Sequence, residues 1–107
     1  MQGANITEVT ERLRAGRGGY QVVHESPGLE LGVYVPPVPD PQSPHAEDEV
    51  YVVLEGSGAI VIDGIRQELA IGDQAFVAAD VEHRFVDHAE LVVLVVFNGP
   101  HTAAQRT

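Results

Sequence analysis

The hydrophobic and polar positions along this 107-residue chain predict one short N-terminal helix followed by β-strands. Apolar residues recur at helical spacing over residues 6–13, so a helix that ends near Ala15 would present one apolar face. Asn5 and Glu8 form a capping box at the start of this helix, and the glycines within residues 16–19 end it. The helix is therefore amphipathic and suited to packing on a sheet.

Turn signals divide the rest of the chain at intervals of about eight to twelve residues. The Asp-Gly pair at residues 63–64 strongly indicates a two-residue hairpin, and residues 56–58, 72–73 and 87–88 indicate further turns. The predicted strands cover residues 20–24, 29–35, 49–54, 59–63, 65–69, 74–78, 82–86 and 90–97. Short strands at this spacing are typical of a β-sandwich or barrel, so the predicted fold class is all-β.

Residues 36–44 form a proline-rich loop with five prolines in nine positions. Proline has no backbone N–H for a strand ladder, so this segment cannot be a central strand. It is stiff, because each proline fixes its own φ and restrains the preceding residue. The loop is either a rigid surface connector or a support that places His45 at the mouth of a barrel.

The charge balance excludes some partners. Sixteen acidic residues face six basic ones, which gives a net charge of −10 with histidine neutral. Such a chain repels nucleic acid and an anionic membrane surface, so neither is an expected partner. The longest apolar run, residues 91–97, is too short to span a bilayer, and we see no signal peptide. With no cysteine present, the expected location is the cytoplasm.

Two segments carry side chains that could ligate a metal ion. On an extended strand alternate side chains share a face, so His45, Glu49 and Tyr51 would point to the same side. His83 follows a turn and enters a later strand with Phe85 on its face. If the two strands are neighbours, two imidazoles and one carboxylate meet, a donor set that suits iron, manganese, nickel, copper or zinc better than calcium. Taken alone, a histidine and a glutamate on one face are also common on protein surfaces.

These two segments resemble the two characteristic motifs of the cupin superfamily. In the first motif six residues separate the glutamate from a glycine, and Glu49 and Gly56 keep this spacing. His45 lies four residues before Glu49, where the second histidine of that motif belongs. Gly72 and His83 match the first glycine and the histidine of the second motif in register.

The chain departs from the cupin motifs at several positions. Ser43 stands where the first metal histidine belongs, and the glycine ahead of that histidine is absent. Ala78 and Asp80 replace the proline and the second glycine of the second motif, although aspartate can still adopt a turn conformation. The chain thus keeps three of the usual four ligands. Ser43, Gln42, Glu47 or a water molecule is left for the fourth position, and a cupin that has lost its metal is the alternative.

The resemblance, which covers about residues 28–97, implies a single cupin domain, an RmlC-like jelly-roll barrel with a short N-terminal helix. The implied organisation is a helix and linker at residues 1–19, the barrel at residues 20–99 and a tail at residues 100–107. It also implies one bound divalent transition metal (iron, manganese, zinc, nickel or copper) and a homodimer, since small cupins frequently pair.

The implied function is metal-dependent chemistry on a small organic molecule, with oxygenase, isomerase, cyclase and lyase reactions all left open. The alternative is a non-catalytic module that binds a small molecule and requires no metal. An enzyme would lose turnover when His45 is replaced by alanine, whereas a binding module would tolerate that change. The predicted site consists of the metal ligands His45, Glu49 and His83, the general base Glu47, and the pocket residues Gln42, Tyr51 and Phe85.

Overall fold

The computed structural model describes residues 4–99, and the predicted tail at residues 100–107 lies outside the described residues. Within the described range, one helix is followed by six strands. The elements are α1 (Ile6–Ala15), β1 (Gly19–Ser26), β2 (Leu29–Val35), β3 (Asp48–Ile62), β4 (Ile65–Leu69), β5 (Gln74–Val77) and β6 (His83–Asn98). No helix in this part of the chain is long and apolar enough to cross a membrane.

Helix α1 begins and ends where the sequence predicts. The Asn5 side chain accepts a hydrogen bond from the Glu8 backbone N–H at 3.0 Å, and Gly16 caps the other end. Val9, on the apolar face of the helix, is buried and packs with Val33 of β2. The helix therefore covers one outer side of the sheet.

All strand pairs are antiparallel, and the strand order is β1-β2-β6-β3-β4, with β5 paired beside β3. The N-terminal half of β3 lies between β5 and β6, whereas its C-terminal half lies between β4 and β6. The long strands β3 and β6 thus join both halves of the sheet. The result is a single β-barrel, as the sequence predicts.

Two predicted turns are wrong, because the chain bends there without reversing. Residues 56–58 lie inside β3, and residues 87–88 lie inside β6. The two strands stay paired through register shifts next to Glu55 and Ser57, where Gly56 has a φ of +76°. Bulges of this kind bend a strand and increase its twist. Residues typical of turns therefore mark bulges at these two places.

The other two predicted turns are confirmed. Asp63 and Gly64 have φ values of +50° and +81°, the two positive values that a type I′ hairpin turn requires. In the turn between β4 and β5, the Asp73 backbone N–H donates to the Ala70 carbonyl at 3.0 Å.

The barrel interior is built by the alternation of side chains along the strands. On β3, Glu49, Tyr51 and Val53 are at most 2% exposed, whereas Val50 and Val52 on the other face are half-buried. The predicted inner face of this strand is therefore correct. The main core cluster consists of Tyr34, Tyr51, Val53, Ile60, Leu69, Ala75, Val77, Phe85, Leu91, Val93, Val95 and Phe97.

Candidate metal centre

The candidate ligands come from three separate parts of the chain that the loops hold together. Glu49 lies on β3, His45 precedes this strand, and His83 is the first residue of β6. The Asp80 backbone N–H donates to the His45 carbonyl at 2.6 Å, and Asp80 has a φ of +65°. The Asp48 side chain accepts the Ala79 backbone N–H at 2.9 Å. These bonds tie the segment before β6 to the segment before β3, which brings the two histidines together.

The side-chain nitrogen and oxygen atoms of the three residues converge. Oε1 of Glu49 lies 3.0 Å from Nε2 of His83 and 3.8 Å from Nε2 of His45. One ligand atom from each residue lies within 4.8 Å of those of the other two. Glu49 and His83 are buried, whereas the His45 side chain is 26% exposed. The group is therefore a pocket of donors that opens outward at His45.

The chemistry of these donors fits a divalent transition metal. Among the described residues, neither carboxylate oxygen of Glu49 accepts a hydrogen bond of normal geometry, although Glu49 is only 1% exposed. A buried carboxylate without donors is costly unless a cation offsets its charge. Nδ1 of His83 lies 2.9 Å from the Val81 carbonyl, which can only accept, so Nδ1 carries the proton. This second bond is the usual one of a metal-ligating histidine, and it leaves Nε2 directed toward Glu49.

The ionisation of His83 reflects the same surroundings. Burial alone would lower the pKa of His83, but the Glu49 carboxylate and the Val81 carbonyl raise this pKa above its usual value. Without a metal, a proton on Nε2 would thus partly balance the charge of Glu49. A metal ion would take the place of that proton.

A cavity of about 160 Å³ adjoins the candidate ligands. Gly32 leaves room for one aromatic wall of this cavity, because a Cβ at Gly32 would lie 2.2 Å from the Tyr20 ring. The Tyr20 ring packs edge-to-face on Phe97, with ring centroids 6.2 Å apart. The lining residues are Tyr20, Tyr34, Gln42, His45, Glu49, Tyr51, Val95 and Phe97.

Two of the three predicted pocket residues line the cavity, and the third does not. Gln42 and Tyr51 line the cavity. Phe85 does not: it is buried in the core, where its ring centroid lies 4.9 Å from that of Tyr51. Phe85 therefore supports the wall from behind.

Glu47 is buried but is not among the residues that line the cavity. Its side chain lies beside the backbone of Gly99, where an added Cβ would be 3.7 Å from Cγ of Glu47. Ser43, which stands at the position of the missing histidine, is exposed. The proton-transfer role of Glu47 stays a prediction.

A buried hydrogen-bond chain that the sequence analysis missed leads from the proline-rich loop to His83. The Tyr51 hydroxyl lies 3.0 Å from Nε2 of His83 and 3.0 Å from Oε1 of Gln42. Nε2 of Gln42 donates to Asp40 at 2.7 Å, and Asp40 also accepts the Tyr34 hydroxyl. Burial and then Asp40 raise the pKa of Tyr34, and burial and then Glu49 raise that of Tyr51. Both phenols therefore keep their protons at neutral pH.

A second buried acidic residue, Glu30 of β2, contacts Tyr20, which lines the cavity. Glu30 is fully buried, and its Oε2 atom accepts the Tyr20 hydroxyl at 2.7 Å. The sequence analysis missed this residue, although Glu30 shares a face with Gly32 and Tyr34. The alternation along β2 could have located it inside the barrel.

Comparison with known proteins identifies the relatives of this chain. Residues 33–97 match a family model described as "Cupin domain". An uncharacterized protein of Streptomyces coelicolor, SCO3923, is 33% identical in an alignment 105 residues long, which covers 95% of this chain and all of that protein.

Solved structures share the fold. An RmlC-like cupin protein from Desulfovibrio desulfuricans is 25% identical, with a TM-score of 0.69 over 92% of this chain and 96% of its own. The DMSP lyase DddQ from Ruegeria pomeroyi is 20% identical, with a TM-score of 0.65 over 78% of this chain. This chain spans about half of that lyase, 47% of its length.

Proposed function

The chain belongs to the cupin family, and we propose that it binds one divalent transition metal through His45, Glu49 and His83 and acts on a small organic molecule in the adjoining cavity. The observation that carries this proposal is the buried Glu49 carboxylate, with imidazole nitrogens at 3.0 and 3.8 Å and a cavity beside it. Iron, manganese, zinc, nickel and copper all suit this donor set.

The bound metal would supply a Lewis acid that polarises an oxygen of the substrate. Residues around the metal position would hold charge, orient a ligand and shape the cavity. Glu49 holds negative charge at the centre, and the Val81 carbonyl orients His83. The aromatic walls exclude water from one side of the cavity. Because the pKa of Tyr51 is raised, its hydroxyl acts as a hydrogen-bonding group and not as a phenolate.

Activity assays on the metal-loaded chain will distinguish the four classes of reaction. A lyase is among the proteins that share this fold, so lyase chemistry stands beside oxygenase, isomerase and cyclase chemistry. A redox-active metal would direct assays to oxygenases, and zinc would direct them to the other three classes.

A second candidate function is a binding module that needs no metal. The replacement of the first metal histidine by Ser43 favours it, because the chain then offers fewer ligands than most cupins. The two candidates differ at His45. For an enzyme, the substitution His45→Ala removes turnover and leaves the fold intact. For a binding module, the same variant keeps its affinity for the ligand.

The metal content of the purified chain tests the proposal. We expect about one equivalent of a transition metal per chain in wild type purified without chelators, and almost none in the variant His83→Ala. The matched control is His24→Ala, because His24 is exposed and lies outside the candidate centre. Absence of metal from wild type even after reconstitution would reject the metal-dependent function, as would equal metal content in His83→Ala.

We also propose that two copies of the chain pair through the outer face of the sheet. Leu31, Val96, Val50 and Phe76 form one row across β2, β6, β3 and β5. Directly paired residues share a face, and Val50 points outward because Glu49 and its alternate neighbours point inward. Phe76 is 54% exposed. A second copy would cover this apolar row.

A further inference from the structure

The direction of the buried hydrogen-bond chain beside the cavity is fixed at Asp40. Its Oδ2 atom accepts the backbone N–H of Phe85 at 2.8 Å, and a backbone N–H can only donate. The same oxygen lies 2.7 Å from the side-chain amide of Gln42. Oδ2 of Asp40 is therefore an acceptor for both neighbours.

This acceptor sets the orientation of the Gln42 amide. The amide has a donor end and an acceptor end, and the end that faces Oδ2 of Asp40 must be the NH₂ group, because two acceptor oxygens repel each other. The carbonyl oxygen, Oε1 of Gln42, consequently points to the Tyr51 hydroxyl at 3.0 Å.

The amide orientation in turn sets the direction of the Tyr51 hydroxyl. A phenol has one proton, and the Gln42 carbonyl oxygen can only accept, so Tyr51 donates this proton to Gln42 whenever Nε2 of His83 carries a proton or a metal and cannot accept it. The two lone pairs of the Tyr51 oxygen remain as acceptors. Nε2 of His83 lies 3.0 Å from this oxygen, and Tyr51 also lines the cavity.

The charged side chains around the cavity also favour a ligand that donates hydrogen bonds. Glu49, the carboxylate in the lining, can only accept hydrogen bonds when ionised. The chain contains no lysine, and no arginine of the described residues 4–99 lines the cavity. Arg14 and Arg66 instead pair with acidic residues at the surface. An anionic group in the cavity would find no cationic Arg or Lys side chain there.

We propose that the hydrogen-bond series Asp40–Gln42–Tyr51 fixes the Tyr51 oxygen as a hydrogen-bond acceptor. The cavity then selects small ligands whose polar group is a donor, namely a hydroxyl or an amine. This inference rests on the proposed function, because the ligand is the small molecule that the cavity is proposed to bind. Asp40 and Gln42 are positioning residues in it, since they act through Tyr51.

Cyclohexanol and cyclohexanone test the inference, because the two molecules have the same number of non-hydrogen atoms and only the alcohol can donate. Dissociation constants are measured by NMR titration of the full chain, in both the metal-free and the zinc-loaded form. In the metal-free form, in which no metal attracts the carbonyl oxygen of the ketone, we expect the alcohol to bind at least about fivefold more tightly, which corresponds to roughly 1 kcal/mol. Equal affinities in this form, or no binding of either probe, would overturn the inference.

Two variants and a control separate hydrogen-bond direction from simple packing. Gln42→Met removes the carbonyl that holds the Tyr51 proton, so the hydroxyl can turn and donate, and the preference falls toward equal affinities. Tyr51→Phe removes the acceptor, and the alcohol loses its advantage. Gln74→Met, at an exposed position of β5, keeps the wild-type ratio. An unchanged ratio in Gln42→Met would overturn the inference.

Zinc stoichiometry on the same samples distinguishes this inference from the proposed function. One zinc per chain without donor preference would reject the inference and leave the metal centre standing. Donor preference without bound zinc would support the inference and reject the metal centre.

Discussion

Nε2 of His83 lies 3.0 Å from Oε1 of Glu49, although the two residues belong to different strands, β6 and β3. The contact exists because the Asp80 backbone N–H bonds to the His45 carbonyl and brings the start of β6 to the start of β3. Both residues are at most 2% exposed. The barrel thus holds an imidazole nitrogen and a carboxylate oxygen together where little water reaches them, and a divalent cation would stabilise that arrangement.

Zinc is therefore predicted to stabilise the wild-type chain against unfolding and to have little effect on Glu49→Gln. A ligand that binds only the folded state adds about 2.7 kcal/mol to the unfolding free energy at 100 times its dissociation constant. Urea unfolding with and without zinc measures this difference. Glu55→Gln, at an exposed position of β3, should keep the full response to zinc. The same stabilisation in Glu49→Gln as in wild type would contradict the account.

The strand pattern was sufficient to predict which residues of β3 face the barrel interior, because alternation depends only on the extended backbone. Glu49 and Tyr51 are inside as expected. Asp40 could not be found in this way. It lies in the proline-rich loop, which has no periodicity. Its hydrogen-bond partners are the Tyr34 side chain and the Phe85 backbone, which only the folded barrel brings together around it.

The turns show a second limit of the sequence pattern. Gly56 and Gly64 both have positive φ, yet only Gly64 belongs to a chain reversal. A glycine signals a backbone conformation and does not say whether the chain reverses or continues as a bulged strand. The pairing of β3 with β6 decides that, and it is a long-range property.

This difference makes a matched pair of alanine substitutions informative. Gly56→Ala should destabilise the fold more than Gly64→Ala, because a Cβ at Gly56 would lie 2.2 Å from the Glu90 carbonyl oxygen, whereas a Cβ at Gly64 meets nothing within 4 Å. The positive φ alone costs roughly 1–2 kcal/mol at each position. Urea unfolding of the two variants gives the comparison. Equal losses of stability would mean that the bulge in β3 is not packed as described.

Alkaline pH should weaken the fold through Tyr34. Burial and the neighbouring Asp40 raise the pKa of Tyr34 above its unfolded value of about 10. The stability that this phenol contributes is thus fully present below pH of about 10 and is lost as pH rises from there toward the folded pKa. Between pH of about 9 and 11, Tyr34→Phe should lose less unfolding free energy than wild type. An identical decline in both proteins would contradict this prediction.

The apolar row on the outer face predicts a dimer. Phe76→Arg places a charge at the β5 end of the proposed apolar row and should convert the dimer to a monomer in sedimentation velocity experiments. Ile71→Arg is the control, because Ile71 is also exposed but lies in the turn between β4 and β5. A monomeric wild-type chain, or a dimer that persists in Phe76→Arg, would reject this surface as the interface.

The most direct test of the metal centre is the anomalous scattering of zinc in a crystal of the zinc-loaded chain. We predict one strong peak at about 2.0–2.2 Å from an imidazole nitrogen of His45, an imidazole nitrogen of His83 and a carboxylate oxygen of Glu49. A peak confined to other side chains, such as His24 or His88, or no peak between these three residues, would contradict the account.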